Sequence, residues 1–303
     1  YFRVQQLEAI QSVIQDGSRT LVLQRTGWGK SFVYFIGTKI LRSRGEGVAL
    51  LISPLLSLMR NQLDAARKMG VNAEVINSEN PDEWEEIAKR IQQNSVDILI
   101  ISPERLSNDE FINKVLTLIS NRISLLIVDE AHCISDWGHD FRPAYQQLSV
   151  LKSLSESAPI LALTATATQE VLQDTISALQ MDEPDIFVSP LIKDNIALYF
   201  EKREDRFDRV LGLVKAQKKT GIIYVQSRKK SETLAKQLQY NGCEAQFYHA
   251  GIAEGEKAKR LSNWLNSPTQ VMVATSAFGM GIDHPGVRFV IHLHLPESLE
   301  SYL

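Results

Sequence analysis

The residues with the clearest chemical potential lie in the segment QRTGWGKS, residues 24–31. Gly27 and Gly29 would let the main chain turn so that its N–H groups face a chain of phosphates. The helical pattern that follows would add the partial positive charge of a helix N-terminus. In this context Lys30 would reach the β- and γ-phosphates, and Ser31 would hold Mg²⁺. An ordinary tight turn is the alternative, but a Lys-Ser pair at a strand–helix junction favours a nucleoside triphosphate site.

A second segment with catalytic potential is LLIVDEAH, residues 125–132, where an apolar strand ends in two carboxylates. Ligands bind at the carboxyl ends of the strands in an open α/β sheet. Asp129 would hold Mg²⁺ through water, and Glu130 would orient and deprotonate the attacking water, as in-line phosphoryl transfer requires. Adjacent acids after a strand are often only a solvated turn. The phosphate-binding pattern upstream favours the catalytic interpretation here.

Strands must bring these two segments together, and the first part of the chain has the pattern for them. Short apolar runs predict strands at 20–24, 48–53, 73–77, 97–102, 124–129 and 159–164. Between them, residues 55–70 and 81–94 have helical patterns, one ending in glycine and the other opening with proline and acids. Strands that are almost continuously apolar and alternate with helices indicate a parallel sheet covered on both faces.

The same alternation restarts in the second part of the chain. Strands are predicted at 221–226, 244–249, 270–276 and 287–292, with helices at 227–242 and 256–266. The weakest pattern lies at 181–195, which holds two prolines, and the domain boundary is placed near 195. We therefore predict an α/β protein of two tandem domains, residues 1–195 and 196–303.

Composition narrows the class of protein without deciding the ligand. The 303 residues carry a net charge of −3, with 18 Lys and Arg against 25 Asp and Glu in residues 1–195, and 15 against 11 in residues 196–303. That imbalance fits either a basic nucleic-acid track or ordinary solvated surface. Cys133 and Cys243 form neither a disulfide framework nor a zinc pattern, which favours a reducing compartment. The longest apolar run, at 48–59, is shorter than the about 20 residues of a membrane helix.

The segment VDEAHCISDWGHDFRPAYQQL, residues 128–148, resembles the DEAH box of RecQ-family DNA helicases running into the aromatic-rich loop that is distinctive of that family. Further segments are similar to the family's motifs in order and spacing. They are FRVQQLEAI (2–10), SPLLSLMRNQ (53–62), SPERL (102–106), LALTATAT (161–168), GIIYVQSRKKSETLAKQL (221–238), YHAG (248–251) and VATSAFGMGIDHPGVRFVIH (273–292). The resemblance covers essentially the whole chain.

The resemblance implies two RecA-like domains with an ATP cleft between them, and ATP and Mg²⁺ as cofactors. The implied ATP-binding residues are Arg3, Gln6, Thr26, Gly27, Gly29, Lys30, Ser31, Gly281 and Asp283. The implied catalytic residues are Lys30, Asp129, Glu130 and His132, with Ser31 and Asp129 as the Mg²⁺ ligands. The histidines themselves make a poor metal site, because no third ligand has suitable spacing.

Further residues would connect ATP to a DNA strand. The implied coupling residues are Trp137, Phe141, Arg142, Thr164 and Thr166, although the aromatic pair could simply pack in a core and the threonines could be strand formers. The implied DNA contacts are Ser53, Asn61, Ser102, Arg105, Ser227, Arg228, His249 and Thr275. Most of these are hydroxyl, amide or cationic groups suited to phosphate oxygens, which would hold a strand without reading its sequence.

The resemblance therefore implies an ATP-dependent DNA helicase that moves 3′ to 5′ along single-stranded DNA and unwinds duplex. Its partners would be single-stranded and partly duplex DNA rather than membrane, in the cytoplasm or nucleus. An RNA-directed helicase and a nucleotide-dependent binding module without unwinding stay open. Lys193 and Trp28 depart from the family pattern. The arginine-finger motif is expected only after Leu303, so the second domain is expected to be incomplete and residues 1–303 to bind ATP but hydrolyse it slowly.

Overall fold

The computed structural model describes residues 2–136, 141–148, 151, 158–165, 167–189, 195–276, 278, 282 and 284–294. The chain divides into two compact units, one ending at Ile196 and one beginning at Ala197. Each is an α/β unit built on a parallel sheet. Each unit is described separately below.

The first unit is built on a seven-stranded sheet with the strand order β3-β4-β2-β5-β6-β1-β7. Its strands are β1 (Arg19–Leu23), β2 (Val48–Ile52), β3 (Ala73–Ile76), β4 (Ile98–Ile101), β5 (Ile123–Val128), β6 (Ile160–Thr164) and β7 (Asp185–Val188). All neighbouring strands pair in parallel. Every residue of β2, β4 and β5 is buried, as expected for strands covered on both faces.

Helices cover the two faces of this sheet. They are α1 (Gln6–Val13), α2 (Lys30–Ser43), α3 (Leu56–Lys68), α4 (Trp84–Gln92) and α5 (Gln169–Ala178). Successive residues of β2 alternate between two cores: Ala49 and Leu51 pack with α1, α2 and α3, while Leu50 and Ile52 pack with α4. Residues 103–122 form a run of short 3₁₀, α and π turns, and their apolar side chains pack in the same core as α4.

The second unit has a four-stranded parallel sheet with the order β11-β8-β10-β9. Its strands are β8 (Gly221–Tyr224), β9 (Ala245–Tyr248), β10 (Val271–Ala274) and β11 (Phe289–His292). Its helices are α6 (Arg206–Gln217), α7 (Arg228–Tyr240) and α8 (Glu254–Leu265). Apolar residues of α6 and α7 pack on one face of the sheet, and Trp264 of α8 packs on the other.

The structure corrects one feature of the sequence reading. Strand β7 lies inside residues 181–195, the stretch that was read as weakly patterned chain between domains. Among the strands that the structure describes, β7 lies at the edge and pairs with β1, and Ile186 and Val188 are 42% and 48% exposed. An edge strand with this much exposure lacks the continuous apolar pattern of a central strand. In the described part of the chain, no helix is both long and apolar enough to cross a membrane.

Candidate active site

The predicted phosphate-binding segment turns tightly between β1 and α2. Gly27 and Gly29 have φ angles of 81° and 94°, and Gly29 caps the helix that begins at Lys30. A side chain at Gly29 would place its Cβ 2.8 Å from Nε2 of Gln6. Both the left-handed backbone and the close approach therefore favour glycine at this position.

Trp28, which stands between these glycines, belongs to the core of the first unit. Its side chain is 4% exposed, and its indole Nε1 donates to the carbonyl of Val4 at 3.2 Å. The tryptophan therefore points away from the predicted phosphates and ties the loop to the N-terminal segment.

Arg3 and Gln6, two of the predicted ATP-binding residues, contact the same loop. Gln6 Nε2 donates to the carbonyls of Trp28 and Gly29 at 3.3 and 3.2 Å, and its Oε1 accepts from the main-chain N–H of Arg3 at 3.1 Å. The guanidinium of Arg3 donates to the carbonyl of Gly27. The segment before α1 is thus hydrogen-bonded to the turn that would hold the phosphates.

Lys30 lies beside the predicted catalytic carboxylates. Its Nζ donates to the carbonyl of Gln24 at 2.9 Å. Burial lowers the pKa of Lys30, while the charges of Glu130 and Asp129 oppose that shift. The structure therefore brings together the lysine and the two acids that the sequence predicted as one site.

Asp129 follows β5 at the carboxyl edge of the sheet, where its N–H donates to the carbonyl of Ile52 at 3.0 Å. Burial raises the pKa of its carboxyl group, and the charge of Lys30 is the largest opposing influence. The carboxylate also accepts from Nε2 of Gln62 at 2.7 Å and from the N–H of Glu130 at 3.0 Å. These donors fix one orientation of the carboxylate and favour its charged form.

Glu130 adopts a left-handed backbone conformation, with φ 49° and ψ 48°. A non-glycine residue in this region costs about 1–3 kcal/mol and is often found at functional sites. Its Oε2 lies 3.4 Å from Nδ1 of His132, which is 2.9 Å from the hydroxyl of Thr164. These contacts connect the end of β5 to the end of β6.

Two residues of this site were not predicted. Gln62 lies in the segment 53–62, of which only Ser53 and Asn61 were given a role, and Tyr145 lies in the segment 128–148 that holds the aromatic-rich loop. The hydroxyl of Tyr145, which is fully buried, donates to the carbonyl of Asp129 at 2.9 Å. Gln62 lies between the buried Met59 and Ala66 at helical spacing, which is the one sequence signal that its side chain points inward.

The chain after the aromatic-rich loop is anchored next to this site. The N–H of Arg142 donates to the carbonyl of Cys133 at 3.0 Å, and its guanidinium donates to the carbonyl of Pro54 at 2.8 Å. Phe141 is half-buried. Trp137, Thr166, Gly281 and Asp283, which were also predicted as coupling or ATP-binding residues, lie outside the described residues.

The predicted DNA contacts of the first unit differ in accessibility. Asn61 is exposed, and the guanidinium of Arg105 lies over the ring of Trp84 at 5.4 Å from its centroid. Ser102 is 9% exposed and Ser53 has no exposed surface. The hydroxyl of Ser53 therefore has no access to a strand in this conformation, because β2 and its neighbours bury it.

The predicted contacts of the second unit follow the carboxyl ends of its strands. Ser227 caps α7 by accepting from the N–H of Lys230 at 3.2 Å, and Arg228 beside it is exposed. Thr275 follows β10 and is half-buried. His249 follows β9, is 5% exposed, and lies 3.1 Å from Oε1 of Glu232. The side chain of His249 is therefore packed within the second unit and has little surface exposed to solvent.

The residues present fit Mg²⁺ better than a transition metal. In the described ranges, no three His, Cys, Asp or Glu residues are grouped to hold a metal ion. Ser31 and Asp129 offer oxygen ligands, and Mg²⁺ usually combines one or two such ligands with water and substrate phosphates. A two-ligand oxygen site is therefore consistent with the predicted metal.

Comparison with known proteins agrees with this geometry. Residues 3–175 match the DEAD/DEAH box helicase model, and residues 203–303 match the helicase conserved C-terminal domain. "ATP-dependent DNA helicase RecQ" of Pasteurella multocida is 39% identical over 99% of this chain and 47% of that protein. The protein of the same name from Bacillus subtilis is 38% identical over 99% of this chain and 50% of its own length. The chain thus spans about half the length of these relatives.

Solved structures show the fold independently of close sequence similarity. A structure of a Saccharomyces cerevisiae Dbp5 variant bound to a Gle1 variant and IP6 superposes with a TM-score of 0.73 at 18% identity, covering 98% of this chain and 74% of that chain. This likeness confirms the prediction of two tandem RecA-like units. The family model covers more than half of the chain. The chain therefore belongs to the DEAD/DEAH box helicase family, and within that family it is similar to RecQ helicases.

Proposed function

We propose that this chain is the motor of an ATP-dependent DNA helicase, which couples ATP hydrolysis to 3′-to-5′ movement on single-stranded DNA and to unwinding. The observation that carries the proposal is the neighbourhood of Lys30, Asp129 and Glu130 at the carboxyl edge of the first sheet. A phosphate-binding turn and two carboxylates at this edge are the parts that phosphoryl transfer from ATP to water requires.

Each residue has a role that follows from its position. Lys30 would neutralise the β- and γ-phosphates, and Ser31 and Asp129 would hold Mg²⁺. When bound, the metal would supply positive charge against the phosphate oxygens. Glu130 would accept a proton from the attacking water. His132, whose Nδ1 lies 3.4 Å from Oε2 of Glu130, would orient the glutamate. Arg3 and Gln6 would recognise the base.

The DNA strand would lie on the members of the predicted set that keep exposed surface. They are the exposed Asn61, Ser227 and Arg228 and the half-buried Arg105 and Thr275. Contacts of this kind grip phosphates of any sequence. Ser53, Ser102 and His249 would support these residues from inside, since their side chains are buried.

Helix α3 provides a direct route from the strand to the hydrolytic site. The exposed Asn61 would contact DNA, and the next residue, Gln62, donates to the carboxylate of Asp129 at 2.7 Å. A movement of α3 on strand binding would therefore change a hydrogen bond to a metal ligand. This coupling would make hydrolysis depend on DNA.

ATP turnover measured with single-stranded DNA, with RNA and without nucleic acid tests the proposal. We expect DNA to stimulate turnover most. Equal rates in all three conditions would refute the motor, and a preference for RNA would support an RNA-directed helicase instead. Duplexes with a 3′ or a 5′ single-stranded tail test direction, with unwinding expected only from the 3′ tail.

We also infer that the protein works in a reducing compartment, the cytoplasm or the nucleus, where its DNA substrate lies. Cys133 and Cys243 are not joined in a disulfide, which fits such a compartment.

A further inference from the structure

The positive charge of the second unit is concentrated on its first two helices. From Arg206 to Lys236 the sequence holds nine Lys and Arg against two Asp and Glu. Residues 196–303 hold 15 Lys and Arg and 11 Asp and Glu in all. The rest of this half therefore has six Lys and Arg against nine Asp and Glu. The net positive charge of this half of the chain therefore lies on α6, on α7 and on the turn after α6, which holds Lys218 and Lys219.

Few of these charges are neutralised within the unit. Glu232, one of the two acids, lies 3.1 Å from Nε2 of His249. Arg209 is held by Glu201, at 2.9 Å between its Nε and a carboxylate oxygen. Several exposed lysines of α6, α7 and the turn after α6 make no ion pair among the described residues: Lys215, Lys218, Lys219, Lys229 and Lys236.

An aromatic groove lies within this basic surface. It has a volume of about 550 Å³ and is lined by Phe207, Thr233, Lys236, Gln237, Tyr240 and Asn241. We call it the Tyr240 groove. Lys236 and Tyr240 are one helical turn apart on α7, so they share a face. The tyrosine is 92% exposed, which leaves its ring open to a ligand.

The Tyr240 groove is distant from the predicted strand contacts of the same unit. Helix α7 begins at Arg228, next to the carboxyl end of β8, and runs back along the sheet to Tyr240, shortly before β9 begins. Its 13 residues span about 20 Å. A nucleotide held by Ser227 and Arg228 therefore cannot also stack on Tyr240.

We propose that the Tyr240 groove binds an unpaired segment of nucleic acid, separate from the strand that the motor would grip. Tyr240 offers a flat face on which a base can stack, and Lys236 neutralises a phosphate beside it. An excess of lysine with an exposed aromatic ring is the combination that binds single strands without sequence preference. Charge complementarity thus selects a polyanion over a neutral or basic protein surface. A site here would hold a second part of the substrate while the motor works on the first.

The test uses the chain of residues 1–303 and a single-stranded oligothymidylate containing a photoreactive thymidine. Crosslinked peptides are mapped, and affinity is measured by fluorescence anisotropy over a range of salt concentrations. We expect crosslinks at the end of α7, in addition to those on the predicted strand contacts. Tyr240→Ala should abolish the α7 crosslink and weaken binding of the oligothymidylate at the Tyr240 groove about fivefold or more. Tyr240→Phe keeps the ring and should behave as the parent.

Two further variants separate stacking and charge from general effects. Lys236→Gln should reduce the slope of log affinity against log salt by about 0.7, the value for one phosphate contact on a single strand. Tyr199→Ala is the matched control, because Tyr199 is 83% exposed in the same unit but does not line the groove. It should change neither the crosslink nor the slope.

The outcomes distinguish this inference from the proposed function. Crosslinks confined to the predicted strand contacts would overturn the second site and leave the motor intact. Loss of the α7 crosslink in Tyr199→Ala as well as in Tyr240→Ala would also overturn it. A chain that crosslinks to no nucleic acid at all would refute both.

Discussion

The hydrogen bond from Gln62 to Asp129 can be tested by replacing Gln62 with leucine. Gln62 is buried and Asp129 half-buried, Nε2 of Gln62 lies 2.7 Å from a carboxylate oxygen of Asp129, and leucine has a similar size to glutamine. Hydrogen bonds to charged groups contribute about 1.5–3 kcal/mol to stability. We therefore expect Gln62→Leu to lower the free energy of unfolding of the first unit by about that amount at neutral pH.

A double-mutant cycle separates the bond from packing. In an Asp129→Asn background the same glutamine makes only a neutral hydrogen bond, worth about 0.5–1.5 kcal/mol. The coupling energy between positions 62 and 129 should then be about 1 kcal/mol or more. Urea unfolding measures it, with fluorescence of the buried Trp28 and Trp84 reporting on the first unit.

The coupling should also depend on pH with a defined sign. Burial raises the folded-state pKa of Asp129 above its unfolded value, so charging this carboxyl group destabilises the fold as pH rises through the raised pKa. The hydrogen bond from Gln62 lowers that pKa and so reduces the loss of stability. Gln62→Leu should therefore lower the free energy of unfolding most above the raised pKa of Asp129, and least in acid, where Asp129 is protonated. An equal cost in both backgrounds and at every pH would show that Gln62 acts through packing alone.

Three other variants test the site. Lys30→Ala should abolish ATP turnover, since the phosphates lose their cation; measurable steady-state hydrolysis would contradict the role given to Lys30. Glu130→Gln should still bind a fluorescent ATP analogue but not hydrolyse ATP, and normal turnover would show that another group accepts the proton. Gly29→Ala should lower the free energy of unfolding by about 1–2 kcal/mol because a side chain is strained at φ 94°, and should weaken nucleotide binding; an unchanged melting temperature would show that the loop adapts.

Central strands and the glycine turn between β1 and α2 could be predicted from the sequence because their signals are local. The apolar runs at 48–53 and 124–129 became β2 and β5 with bounds shifted by a residue or so, since both faces are covered and nearly every position must be apolar. Strand β7 was missed because only one side of it is paired and Ile186 and Val188 stay exposed.

The contacts around the carboxylates could be predicted only in part. The sequence groups Lys30, Asp129 and Glu130 because strand ends in a parallel sheet converge on one edge, and their roles stay predictions. Gln62 and Tyr145 were missed because each reaches Asp129 from a different element, and no local pattern specifies such a pairing. Trp28 shows the same limit, since a tryptophan between two glycines gives no sign that its ring packs inward.

The strand order of the first sheet has a consequence for how the protein is made. Strand β1, which leads into the predicted phosphate-binding turn, pairs with β6 and β7. It therefore cannot complete its pairing until residues as far along the chain as Val188 are available. Such distant pairings slow folding. A ribosome that has released only the N-terminal third of the chain would thus carry the predicted phosphate-binding turn without the strands that pair with β1. We expect the proposed affinity for ATP to appear only late in synthesis.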